Sequence, residues 1–160
     1  THVNKPVMDV TEDEFDQIMA VNVKGIFHGA RAAVPVFRKQ GGGGVILNIA
    51  STAGLRPRPG LVWYNTSKSA AIGATRSLAI ELGSEQIRVV GINPVAGDTP
   101  LLARFMGEDT PEKREAFKAT VPLGRLSTAR DIANTALYLV SDEADFLTGI
   151  CVEVDGGRCI

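Results

Sequence analysis

The sequence predicts an α/β domain: part of a doubly wound parallel sheet with helices on both faces. Two observations carry this. Three short apolar runs read as strands, and they alternate with helical segments, which is the βαβ pattern of a parallel sheet. Two of those helical segments are long and keep their periodicity throughout. At 160 residues the chain has the length of one ordinary domain and can bury a real core.

The elements follow in order. Thr11-Glu12-Asp13-Glu14 fits a capping box, with Thr11 as N-cap and Glu14 reaching back to its N–H. Behind it Phe15, Ile18, Met19, Asn22, Ile26, Ala30, Ala33 and Phe37 recur at steps of three and four, the stripe of an amphipathic helix running to about Gln40. Pro35 is expected to bend that helix or break its hydrogen bonding. Gly41 to Gly44 end it, and Val45 to Ala50 form a short buried strand. A phosphate-binding loop follows a strand and opens a helix. This glycine run does the reverse, so it reads as a helix-to-strand connection.

A loop from Ser51 to Leu61, rich in Pro, Gly and Arg, leads into a helix over Val62–Leu82, with Gly83 suited to the left-handed position after it. Ile87 to Ile92 is the second strand, ended by Asn93-Pro94. Residues 94–120 read as mixed loop and short helix. Thr128 to Val140 form a helix capped by Thr128, and Ile150 to Val154 a last strand before Asp155-Gly156-Gly157.

Composition narrows the function classes. Seventeen basic residues against eighteen acidic leave a net charge of −1, with no Lys/Arg run, so neither nucleic acid nor an anionic membrane is favoured as a partner. No apolar stretch approaches membrane-spanning length. Cys151 and Cys159 lack metal-ligand spacing, and His2 and His28 are far from them, so no metal is expected. Two reduced thiols in a cytoplasmic protein is the expected state. The first residues lack both an initiator Met and an apolar signal region, which reads as processing or a fragment.

Tyr64 and Lys68 carry the most functional information. Four apart on a helix, they share one face. An ammonium beside a phenol favours the phenolate and is expected to draw its pKa below about 10. Such a phenol can give a proton to a carbonyl oxygen or take one from an alcohol. Ser51 sits at the C-terminal end of the first strand, where parallel sheets bind ligands, and can bring a hydroxyl to the phenol. It also has the ordinary reading of a turn or cap residue. Asn22 lies on the apolar stripe of the first helix, where a buried amide needs partners. It is either bonded to backbone or holds a water near Lys68 at a local helix break. The loop Val95-Ala96-Gly97-Asp98-Thr99 is made of small residues that let backbone approach a ligand.

Together these residues resemble the short-chain dehydrogenase/reductase family over the whole chain. Asn22 in Val21-Asn22-Val23-Lys24-Gly25 is similar to the family's helix asparagine. Asn48-Ile49-Ala50-Ser51 matches its strand and catalytic serine, and Tyr64-x-x-x-Lys68 its catalytic signature. Ile92-Asn93-Pro94 resembles the cofactor loop, and Gly149 through Gly157 the closing strand. The resemblance implies a Rossmann-like, three-layer fold, NAD or NADP as cofactor, and catalytic roles for Asn22, Ser51, Tyr64 and Lys68. In it Tyr64 is the acid/base, Lys68 holds the nicotinamide ribose and lowers the Tyr64 pKa, Ser51 orients the substrate oxygen, and Asn22 holds the water of a proton relay. Pro94, Val95, Gly97 and Thr99 join Tyr64 and Lys68 in cofactor binding.

Val95 stands where the family usually has glycine. Because valine resists a positive φ, the loop is expected to take another path, with Gly97 supplying flexibility. No G-x-G-x-x-G occurs, so the strands and glycine-rich turn that bind the pyrophosphate are expected to precede Thr1. On this reading residues 1–160 are the catalytic portion of one domain, and alone they would bind no cofactor.

The implied reaction is hydride transfer between NAD(P)(H) and a secondary alcohol or ketone, as in 3-oxoacyl-carrier-protein reductases or sugar dehydrogenases. Alternatives are a cofactor sensor without turnover and a nucleotide-sugar epimerase or dehydratase. The resemblance also implies a homodimer or homotetramer paired through residues 11–40 and 62–82. Leu101, Leu102, Phe105 and Met106 read either as an apolar lid over the site or as a packed structural helix.

Overall fold

The computed structural model describes residues 1–160 apart from the Arg104 side chain, and three parallel strands organise it. Strands β1 (Gly44–Ile49), β2 (Ile87–Pro94) and β3 (Cys151–Val154) lie in that order. Gly44 pairs with Ile87 and Ile49 with Ile92, and Gly91 pairs with Cys151. Helices α1 (Glu12–Met19), α2 (Gly25–Gln40) and α3 (Val62–Leu82) precede β2. Helices α4 (Leu102–Met106), α5 (Pro111–Lys118) and α6 (Ala129–Val140) follow it.

Strand alternation on β2 divides the core into two faces. Ile87 and Val89 pack with Val34 of α2 and with Ala79 and Leu82 of α3. Val90 and Ile92 point the other way, onto Leu139 of α6. All four strand residues are fully buried, each stabilising the fold by roughly 1.5–3 kcal/mol. Both capping boxes form: Thr11 with Glu14 on α1, and Thr128 with Asp131 on α6.

Three features depart from the sequence expectation. The first long helix is two helices joined by a π turn over Ala20–Lys24, so the local break that one reading of Asn22 anticipated is present and the break expected at Pro35 is not. Pro35 sits inside α2, exposed, and the helix runs on through it to Gln40. The third concerns Gly83, which is right-handed (φ −61°), so the reversal after α3 lies elsewhere. A 3₁₀ turn over Gly83–Glu85 carries the chain on, and Gln86 takes the left-handed conformation (φ 59°). The glycine run does connect helix to strand. A Cβ on Gly43 would overlap the Gln86 carbonyl oxygen, so the run closes tightly on the α3–β2 turn.

Both cysteines are free thiols. Among the described residues no helix is long and apolar enough to cross a membrane.

Candidate active site

Ser51, Tyr64 and Lys68 meet on one cavity of about 360 Å³ beyond the C-terminal ends of β1 and β2. The local fold explains how. Ser51 follows β1, and its Oγ accepts the Ala53 N–H at 3.1 Å, capping a 3₁₀ turn over Thr52–Gly54. That turn lies directly on α3: a Cβ on Gly54 would stand 2.8 Å from the backbone carbonyl carbon of Lys68. Ser69 Oγ donates to the Gly54 carbonyl at 2.9 Å and locks the contact. Ser51 thus caps the turn and lines the cavity at once, since the turn that it caps sets the serine beside the Tyr64 helix.

The electrostatics correct one expectation. Burial raises the Tyr64 pKa above its ordinary 10.0, and only a hydrogen bond with Ser51 acts to lower it. Lys68 is itself pushed below its ordinary 10.5 by burial. Its Nζ donates to the Ile49 carbonyl at 2.9 Å and lies 5.7 Å from the Tyr64 ring centroid. The ammonium is thus held over the ring face by a strand carbonyl. In this state desolvation decides, and the phenol stays protonated past its ordinary 10.0.

Asn22 is 8% exposed, at the π turn. Its Nδ2 donates to Ser67 Oγ at 2.9 Å and to the Thr1 carbonyl at 2.8 Å, and its Oδ1 accepts from the Thr1 amine at 2.7 Å. Ser67 Oγ in turn donates to the Tyr64 carbonyl at 2.8 Å. Asn22 is therefore tied through Ser67 to the backbone of the Tyr64 helix. With Lys68 it also borders a groove along β1.

Pro94, Val95, Gly97 and Thr99 all line the cavity. Val95 avoids positive φ and is buried against Leu102 and Phe117, its N–H donating to the Val154 carbonyl at 3.2 Å. Gly97 serves close packing rather than flexibility: it bridges to Ser127, and a Cβ there would lie 2.9 Å from Ser127 Oγ. Both readings of the 101–106 segment hold in part. Leu102 is a packed core residue at 1% exposure, while Leu101 and Phe105 form cavity wall.

Sequence reasoning missed His2, Ser127, Thr128 and Ile132, which also line the cavity. No local pattern marks them as site residues, and Thr128 reads only as a helix cap, because only the tertiary fold brings these segments to the end of β2. His2 packs on Tyr64 with ring centroids 5.5 Å apart, and on Phe105 at 5.7 Å.

The arrangement can pass a proton. A protonated phenol and a serine hydroxyl face the same cavity, so a carbonyl oxygen reaching both would be held and polarised.

A family model described as enoyl-(acyl carrier protein) reductase matches residues 1–158. The chain is 50% identical to the 4-formylbenzenesulfonate dehydrogenase TsaC1/TsaC2 of Comamonas testosteroni, covering 100% of this chain and 64% of that protein. It is 39% identical to the dehydrogenase/reductase SDR family member 4 of Homo sapiens, covering 94% of this chain and 53% of that one. A 3-ketoacyl-(acyl-carrier-protein) reductase from Brucella melitensis, solved in complex with NADH, superposes with a TM-score of 0.92 at 43% identity, covering 99% of this chain and 64% of the other. The chain thus spans less than two thirds of the length of these relatives.

Proposed function

The chain belongs to the short-chain dehydrogenase/reductase family, and from that premise we propose that the whole protein transfers a hydride between NAD(P)(H) and an alcohol or carbonyl substrate. The observation that carries this is the meeting of Ser51, Tyr64 and Lys68 on one cavity at the C-terminal end of the sheet. Tyr64 exchanges a proton with the substrate oxygen, and Ser51 orients that oxygen. Lys68, Thr99 and the Pro94–Gly97 backbone would hold the nicotinamide end of the cofactor. The donor set fits it: a lysine ammonium and a threonine hydroxyl face the same cavity as the phenol, beside a backbone stretch closely packed at Gly97. When bound, the cofactor supplies or accepts the hydride. Asn22 acts on Tyr64 through Ser67, keeping the helix in register with the cavity.

For the substrate, the reading from the sequence is a secondary alcohol or ketone of the 3-oxoacyl or sugar type, and the solved 3-ketoacyl reductase supports it. A second reading is an aromatic carbonyl. The ring edges of His2, Tyr64 and Phe105 favour it, as does the 50% identity to a dehydrogenase of 4-formylbenzenesulfonate. The faces of α2 and α3 carry an apolar groove of about 600 Å³ with Phe27 half exposed, which supports pairing of two subunits through these helices.

The test is an assay of the whole protein with NAD and with NADP over a panel of aliphatic, aromatic and sugar alcohols, read by nicotinamide absorbance. Turnover of at least one class supports the proposal. Cofactor binding without turnover of any class would favour the sensor alternative.

A further inference from the structure

Three arginines gather behind Phe105, which lines the cavity, and Arg58 itself borders the adjoining groove formed with Ala53, Gly54 and Asn65. The Arg58 guanidinium lies 4.6 Å from the Phe105 ring centroid and 5.7 Å from that of Phe117. Arg158 lies over Phe117 at 5.0 Å, and Arg56 donates to the Arg158 carbonyl. Elsewhere Arg38, Arg114 and Arg125 each pair with a carboxylate. Among the described residues Arg56, Arg58 and Arg158 pair with none. Asp155 acts on Arg158 through its charge, but its two oxygens are taken by the N–H groups of Gly157 and Cys159.

Arg58 is the centre of this group. Its Nη1 is buried and has no hydrogen-bond partner in the protein. Burial, and then the charge of Arg158, pull its pKa down. A partly desolvated cation beside two others, with an unused donor, is a local liability that stacking on two rings offsets only in part. An anion would offset the remainder, and a guanidinium fork suits a carboxylate or sulfonate.

We propose that Arg58, supported by Arg158 and Arg56, anchors an anionic group on the substrate. The substrate is then an aromatic alcohol or carbonyl whose ring lies along Phe105. Its reacting oxygen faces Ser51 and Tyr64, and a carboxylate or sulfonate at the far end of the ring meets Arg58. Phe105 links the two ends, since its ring centroid is 6.3 Å from that of Tyr64 and it stacks with Arg58. This rests on the alcohol–carbonyl reading above and narrows its substrate class.

The experiment compares kcat/KM for 4-carboxybenzyl alcohol and benzyl alcohol in the whole protein, its Arg58→Gln and Arg158→Gln variants, and at rising salt. The expected result is a preference of tenfold or more for the charged alcohol, cut at least tenfold by Arg58→Gln, less by Arg158→Gln, and weakened by salt. Equal losses on both alcohols in Arg58→Gln, or an unchanged ratio, would overturn the anchor. If Arg58→Gln does not fold, a ratio insensitive to Arg158→Gln and to salt overturns it instead. A KM effect on the cofactor in place of the alcohol would reassign the arginines to a cofactor phosphate and also overturn it. Wild type that turns over other alcohols and neither of these overturns this inference alone; wild type that turns over no alcohol overturns the reading beneath it.

Discussion

Gly54 and Lys68 touch through their backbones: a Cβ on Gly54 would come within 2.8 Å of the Lys68 carbonyl carbon and 2.9 Å of the Ser69 N. The loop that carries Ser51 is seated on the helix that carries Tyr64 and Lys68 by the absence of one methyl group. The proximity of the serine and the phenol is therefore a property of backbone packing.

Gly54→Ala should separate them. Both atoms it would strike are backbone and cannot yield without moving the loop or the helix, so overpacking should cost about 1–3 kcal/mol of stability. A displacement of about 1 Å at the site should lower kcat by roughly a hundredfold. Thermal denaturation and steady-state kinetics on the same sample check both effects. A variant with wild-type kcat would place the Ser51–Tyr64 contact elsewhere.

The pH dependence follows from burial. Without cofactor Tyr64 ionises above 10.0, because the buried phenolate is poorly solvated. The unfolded chain then loses this proton first, so the contribution of Tyr64 is intact below pH 10 and is lost as pH rises through the folded value. Lys68 has the opposite sign. Its lowered pKa means that the buried ammonium costs stability at neutral pH, a cost that fades as pH rises through its folded value. Ultraviolet titration of wild type against Tyr64→Phe should assign the missing late phenol to Tyr64. Ionisation below pH 10 without cofactor would contradict the burial argument.

Asn22→Ala should loosen the Tyr64 helix. It removes the donor to Ser67 Oγ and leaves that fully buried hydroxyl one partner short, at a cost of about 1–3 kcal/mol. The denaturation midpoint should fall, with kcat falling more than KM changes. Loss of activity at unchanged stability would instead favour a direct proton-relay role.

The parts of this fold legible in the sequence are those with local causes. The Thr11–Glu14 and Thr128 caps, the apolar stripe behind Phe15 and the i, i+4 spacing of Tyr64 and Lys68 each depend on residues within one or two turns, and each is found. Ser51 is legible because strand ends collect ligand groups. The illegible parts depend on distant contacts. The reversal moved to Gln86 because a 3₁₀ turn extends past Gly83. Gly97 is small because Ser127 stands against it. His2 joins the site through two rings remote in sequence. The pKa of Tyr64 needs the burial that the fold creates, and spacing alone supplies only the neighbouring charge.

Everything proposed for this site turns on Tyr64 being the acid/base of a hydride-transfer enzyme. The direct test is the single-turnover rate of the Tyr64→Phe variant of the whole protein, with cofactor affinity measured alongside. General acid–base catalysis contributes on the order of 10²–10⁴-fold, so the rate should fall by at least about a hundredfold while cofactor affinity stays within a few-fold. A rate within about tenfold of wild type would leave less than that contribution to assign and would remove Tyr64 from the acid/base role.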